Sequence, residues 1–203
     1  MIARTAKPPP SLAQWIAMRS LVLARHGQTS WNALGKLQGH TDIALDDVGR
    51  EQARTLASTL TGIRTVWTSD LGRARETGEI VAAALGLAVP RIDPELRERQ
   101  FGVFEGLTRD ECATQHPDHW AAWLAQTTAP PGAEPREEAV ARMGRVLERI
   151  AAREEGPALV VTHGGVMRLW LMHLLGTSVP LIANTATYHV EHAGGAFALR
   201  HRE

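Results

Sequence analysis

Apolar residues in this chain gather into short runs, and between the runs they recur every three or four positions. The runs are LVLA at 21–24, TVWTS at 65–69, LAVPRI at 87–92, ALVVT at 158–162, TATYHVEH at 185–192 and AFALRH at 196–201. Runs of this length, rich in valine and threonine, predict strands, and the near-continuous ones predict strands covered on both faces. The intervening stretches carry the helical period. Asp46 or Asp47 supplies an N-cap for a helix with Val48, Ala53, Leu56 and Leu60 along one side. Ile80, Val81, Ala84 and Leu85 keep that spacing until Gly86 stops it, and Val140, Met143, Leu147, Ile150 and Ala151 mark a third helix over about 136–153.

Strands alternating with helices predict an α/β fold, a three-layer α/β/α sandwich with a mostly parallel central sheet. Ala193-Gly194-Gly195 joins the last two runs as a hairpin, which predicts one antiparallel strand at the sheet edge. Residues 103–135 lack this regularity; they carry Trp120 and Trp123, then Pro130-Pro131-Gly132, and predict a lid inserted beside the site of a single domain over 19–203. Residues 1–18 contain three consecutive prolines and no continuous apolar core, so they predict a flexible tail rather than a secretory signal, with Met18 as an alternative start.

With 203 residues and 44% hydrophobic content, one compact domain is expected. Lys plus Arg and Asp plus Glu stand at 22 each, so no global field attracts nucleic acid or an anionic membrane, and any anion must be bound locally. The richest apolar stretch, VMRLWLMHLLG, is interrupted by Arg168 and His173 and falls short of a membrane span. The single cysteine, Cys112, permits no internal disulfide and fits a reducing compartment, so a cytoplasmic location is expected. The edge strands and the apolar lid leave a homodimer open without compelling one.

Two buried runs end alike: LVLARHG and ALVVTHGG both pass from a strand into His-Gly. Ligands bind at the carboxyl ends of strands in open parallel sheets, so His26 and His163 are expected on one edge. TVWTS ends there too and opens into DLGRARETG, which puts Arg73 and Arg75 in the first turn of a helix whose amino end favours an anion. Gly27 and Gly164 allow close backbone approach and leave amide hydrogens available. Histidines, arginines and amides together suit a tetrahedral phosphoryl group, and arginine can grip two of its oxygens at once. His116 and His119 lack a third ligand, so no metal site is predicted.

Phosphoryl transfer at such a site needs a nucleophile and a proton donor. A neutral histidine can form a phosphohistidine. Glu95 and Glu98, in DPELRERQFG, are both candidates for the donor if burial raises the ionisation of one of them. Arg75 and Arg97 are expected as solvated partners of Glu79 and Glu95, and Cys112, Trp120 and Trp123 as packing. Between 103 and 140 the only basic side chains besides histidine are Arg109 and Arg136, against the seven acids Glu105, Asp110, Glu111, Asp118, Glu134, Glu137 and Glu138. That balance predicts a lid poorly suited to a second phosphate or a carboxylate.

Four stretches, Arg25-His26-Gly27-Gln28-Thr29 through Asn32, SDLGRARET at 69–77, ELRERQFG at 95–102 and THGG at 162–165, resemble in order the motifs of the histidine phosphatase superfamily, the phosphoglycerate mutase-like proteins. The resemblance covers about residues 20–192. It implies a metal-independent phosphomonoesterase for a small-molecule phosphate ester, with no cofactor. By position it makes His26 the phosphorylated nucleophile, with Arg25, Arg73 and His163 holding the phosphate and Asn32 and the Gly164 amide joining them. It selects Glu98 over Glu95 as proton donor, and puts Thr29, Gln38 and Gly39 near the pocket rim. Two alternatives stand beside it. One is a cofactor-dependent phosphoglycerate mutase, disfavoured by a short segment from Glu98 to His163 and by Gln100 and Phe101 where family mutases tend to have histidine and tyrosine. The other is a non-catalytic phosphate-binding or interaction module of the same fold.

Overall fold

The structure, a computed structural model, describes residues 19–200; the tail expected over 1–18 lies outside them. Six strands, β1 (Arg19–Arg25), β2 (Thr65–Thr68), β3 (Arg91–Ile92), β4 (Ala158–Thr162), β5 (Thr187–Ala193) and β6 (Ala196–Leu199), form one sheet in the order β3-β2-β4-β1-β5-β6. Seven α-helices lie among the described residues: α1 (Ser30–Ala33), α2 (Asp47–Thr59), α3 (Gly72–Ala84), α4 (Arg109–Gln115), α5 (Pro117–Leu124), α6 (Arg136–Arg153) and α7 (Gly164–Leu175).

Strands β3, β2, β4 and β1 pair in parallel, β5 pairs antiparallel to β1, and β6 antiparallel to β5. The reversed strand is therefore one in from the edge, because the Gly194-Gly195 hairpin adds β6 outside it. The expected run LAVPRI contracts to two paired residues, since Pro90 has no N–H to give the ladder.

The strand alternation sorts the core into two layers. Leu21, Leu23 and Val160 face α6 and α7, where Met143, Leu147, Val166 and Met167 are buried. Val22, Ala24, Leu159 and Val161 face the other way, onto Leu56, Ala57, Ala74 and Val81 of α2 and α3. Val48 is 52% exposed and so falls outside the expected stripe of α2, where Gly49 takes the inward place against the backbone after β1. Leu147 is fully enclosed. Leu147→Ala is expected to cost roughly 2–5 kcal/mol by lost burial plus a residual cavity, read as a lower denaturant midpoint at unchanged slope.

Segment 103–135 folds into α4 and α5 over a small apolar cluster of its own. Phe101, Phe104 and Cys112 are buried there, with Leu37, Leu107, Trp120 and Trp123 packed against them. No helix among the described residues is long and apolar enough to cross a membrane.

Candidate active site

The register of the sheet builds the site. Arg25 of β1 pairs with Thr162 of β4, so the next residues, His26 and His163, leave adjacent strands at the same level, with ring centroids 5.1 Å apart. Arg73 arrives from the first turn of α3, after β2 on the other side of β4. All three side chains are buried.

Each imidazole has its tautomer set by a neighbour. His26 Nδ1 meets the Gly27 carbonyl at 2.7 Å, and a carbonyl only accepts, so Nδ1 carries the proton and Nε2 keeps its lone pair. His163 Nδ1 accepts from Arg73 Nε at 3.2 Å, which places the proton on Nε2, a buried atom with no partner among the described residues. The arrangement sets a nucleophilic nitrogen beside an N–H donor. Arg73 is fixed further by donations to the Thr41 and Gly39 carbonyls, both at 2.8 Å. Arg25 donates through Nη1 to Ile182 O at 2.7 Å, and its buried Nε has no partner.

Burial first, then the Arg73 charge, with Arg25 adding to both, push His26 and His163 well below the ordinary imidazole value of 6.5. Both rings thus stay neutral where an exposed histidine is protonated. The unfolded chain takes up these protons near 6.5 and the folded one does not, so the pair destabilises the fold progressively as pH drops below about 6.5. The unfolding temperature is expected to fall between about pH 7.5 and pH 5, and a flat profile would contradict the burial of both rings.

Glu98 and Glu95 part company here. Glu95 pairs with Arg145 at 3.3 Å and Arg149 at 2.8 Å on the outer side of α6. Glu98 is buried on the cavity wall. Its Oε1 accepts from Arg99 N at 2.8 Å and Val166 N at 2.7 Å, and its Oε2 from Gly165 N at 2.8 Å. Oε1 thus has both lone pairs engaged by amides, whereas Oε2, with one partner, keeps a lone pair on which a proton can sit. The paired glycines after His163 have separate reasons: a Cβ on Gly164 would lie 3.0 Å from Arg25 Nε, and one on Gly165 would lie 2.7 Å from Glu98 Oε1.

A family model described as histidine phosphatase superfamily (branch 1) matches residues 21–203, nearly the whole chain. The chain belongs to that superfamily. Phosphoglycerate mutase-like protein 4 of Arabidopsis thaliana is 41% identical over 155 residues, covering 73% of this chain and 67% of the relative. The metal-independent phosphoserine phosphatase of the same plant is 36% identical, over 73% of this chain and 65% of its own length. Among solved structures, mycobacterial glucosyl-3-phosphoglycerate phosphatase in complex with VO3 superposes with a TM-score of 0.79 at 29% identity, covering 89% of this chain and 97% of that one. This histidine phosphatase is thus an enzyme of the phosphatase type.

Arg25, His26, Asn32, Gln38, Arg73, Glu98 and Gly164 line one cavity of about 610 Å³, and the buried His163 ring packs beside His26. Gly27, expected beside the phosphate, and Thr29 and Gly39, expected near the pocket rim, are not on this wall. The Gly27 amide donates to Thr77 Oγ1 at 3.0 Å and is not available to a ligand, and a Cβ at Gly27 would collide with Gly49 O at 2.4 Å. Thr29 is buried as the cap of α1, its Oγ1 accepting from Asn32 N and its amide donating to Asn32 Oδ1, each at 3.2 Å. Gly39 gives its carbonyl to Arg73, and its φ of +53° and the Glu105 carboxylate against it leave no room for a side chain. The amino end of α3 is likewise taken, since Gly72 N donates to Asp42 Oδ1 at 2.8 Å.

The charge balance of segment 103–140 misjudged the cavity. Arg109 and Arg136 both line it, whereas none of the seven acids does. Glu105 holds the amides of His40, Thr41 and Phe101, Glu111 caps α4, and Glu134 grips Arg142 through both oxygens. Lys36, Arg99 and Arg168 join from outside the segment, so Arg25 and Arg73 included, seven cations face one carboxylate, Glu98. The Arg99 guanidinium lies 3.9 Å from the centroid of the Trp123 ring. Arg75 pairs with Glu79 as expected, at 3.6 Å, while Arg97 pairs with Asp70 rather than Glu95.

Arg142 had no sequence signal. It donates to the carbonyls of Glu95 at 2.6 Å, Arg97 at 2.9 Å and Glu98 at 3.3 Å, and His40 Nε2 meets Glu98 O at 2.9 Å, so the backbone carrying Glu98 is clamped from two sides.

Proposed function

We propose that this enzyme is a metal-independent phosphomonoesterase that works through a phosphohistidine on His26 Nε2. The observation that carries the reading is the fixed tautomer of His26, whose free lone pair lies within a ring of cationic and N–H donors. Nε2 attacks phosphorus as the bond to the ester oxygen breaks; Glu98, once protonated, gives its proton to the departing alkoxide. Water then attacks phosphorus, Glu98 takes up its proton, the P–N bond breaks, and phosphate leaves a neutral His26. Arg25, Arg73, His163 and Asn32 supply donors to the three peripheral oxygens throughout, a role in which fixed groups cost no reorganisation.

The cations beyond this clamp support a finer reading: the alcohol portion of the substrate carries an anionic group of its own. Names of the relatives, phosphoserine phosphatase and glucosyl-3-phosphoglycerate phosphatase, accord with it. The same cations favour the phosphoglycerate mutase alternative, in which phospho-His26 returns its phosphoryl group to substrate rather than to water. The buried free thiol of Cys112 accords with a reducing compartment, and we place the reaction in the cytoplasm.

The test is phosphate release from a panel of phosphomonoesters with chelator present: phosphoserine, 3-phosphoglycerate, a neutral sugar phosphate and an aryl phosphate. Chelator-resistant release, greatest for the anionic esters, is the expected result. Transfer to phosphoglycerate exceeding release of phosphate would select the mutase, and phosphate binding with no turnover of any ester would select the non-catalytic module.

A further inference from the structure

The loop from Gly176 to Ala186, between α7 and β5, reaches the site although no sequence motif marks it. Thr185 N donates to Arg25 O at 3.0 Å, and Thr185 itself holds a φ of 57°, a conformation that a β-branched residue keeps only under the constraint of its surroundings. Beside it, Asn184 Nδ2 donates to two acceptors, His26 O at 3.0 Å and Asn32 Oδ1 at 3.1 Å.

The amide orientations are fixed by backbone partners. The atom of Asn184 that meets the His26 carbonyl must be the nitrogen, and the atom of Asn32 that meets Thr29 N must be the oxygen. Asn32 Oδ1 therefore accepts from Thr29 N and Asn184 Nδ2 together, which uses both its lone pairs. What Asn32 has left for the cavity it lines is Nδ2, which makes no hydrogen bond among the described residues.

We infer that Asn184 is a positioning residue: it turns the Asn32 amide nitrogen toward the phosphoryl group and ties that donor to the backbone of the nucleophile. The inference rests on the phosphatase reading above. With Asn184 removed, Thr29 N alone restrains the Asn32 amide, which can then rotate its oxygen toward the anion and repel it.

A double-mutant cycle tests this. Aryl phosphate hydrolysis and inhibition by inorganic phosphate are measured for the native enzyme, Asn184→Ala, Asn32→Ala and the double variant. Asn184→Ala is expected to lower kcat/KM by about 10-fold and to weaken phosphate inhibition. In the Asn32→Ala background the same change should cost less than about 3-fold, because the group it acts through is gone. Equal losses in both backgrounds, or an unimpaired Asn184→Ala, would overturn the inference. Asn184→Asp, which keeps the size but cannot donate when ionised, repeats the comparison if the alanine variant does not fold. A native enzyme that hydrolyses no ester would instead refute the phosphatase reading.

Discussion

His26→Ala will abolish phosphate release, with kcat lower by roughly 10⁴-fold or more, because no other group replaces the covalent step. The native enzyme should trap a phosphoryl group on a histidine when quenched in acid-free conditions, and the variant should not. Folding should survive, since the imidazole makes one side-chain hydrogen bond, to the Gly27 carbonyl. In the proposed mechanism the same group sets the acid limb of the rate profile. Burial with Arg73 and Arg25 holds His26 well below 6.5, so neutral nucleophile persists below the ordinary imidazole range and the fall in kcat/KM should begin on the acid side of 6.5. A rate already halved near pH 6.5 by a single protonation would place the nucleophile elsewhere. A rate climbing steadily to about pH 10 would count against a proton donor.

The second large effect is expected at Glu98, and its signature is selectivity among leaving groups. Glu98→Gln should slow release from alkyl phosphates by roughly 10²–10⁴-fold, the usual span for a lost general acid. On an aryl phosphate with a weakly basic leaving oxygen the loss should shrink to about 10-fold, since that oxygen departs without a proton. A residue that only held structure would slow both esters alike. The substitution also turns an NH2 group toward one of the three amides that now donate to the carboxylate, so a small loss of stability should accompany it. Glu95→Gln, at a surface ion pair with Arg145 and Arg149, should leave both rates unchanged.

The outward cations bear on the substrate in the same way. Counting charge along residues 103–140 treats every side chain as facing the cavity, yet loop amides hold Glu105, a helix cap holds Glu111 and a half-buried ion pair with Arg142 holds Glu134. What remains on the wall is strongly basic. Arg99 shows the effect most plainly: burial lowers its pKa to about 10, but it is stacked on Trp123 and hydrogen-bonded to Glu134 O, still cationic at neutral pH.

Periodicity and local motifs determined the strand runs, the α6 span of Arg136–Arg153, the α/β layering and the two strand-His-Gly ends. These follow from the chain's own repeat, because an apolar face must be covered and a strand's side chains alternate. Likeness to family motifs added Glu98 over Glu95, which spacing left open. Only the tertiary structure decided which of the site's groups are free to act. The Gly27 amide is spent on Thr77, fifty positions away, and Asn184 meets His26 and Asn32 across more than 150 positions. A hydrogen-bonding group has few valences, and whether a distant partner has already filled them depends on packing between elements, which no local pattern encodes.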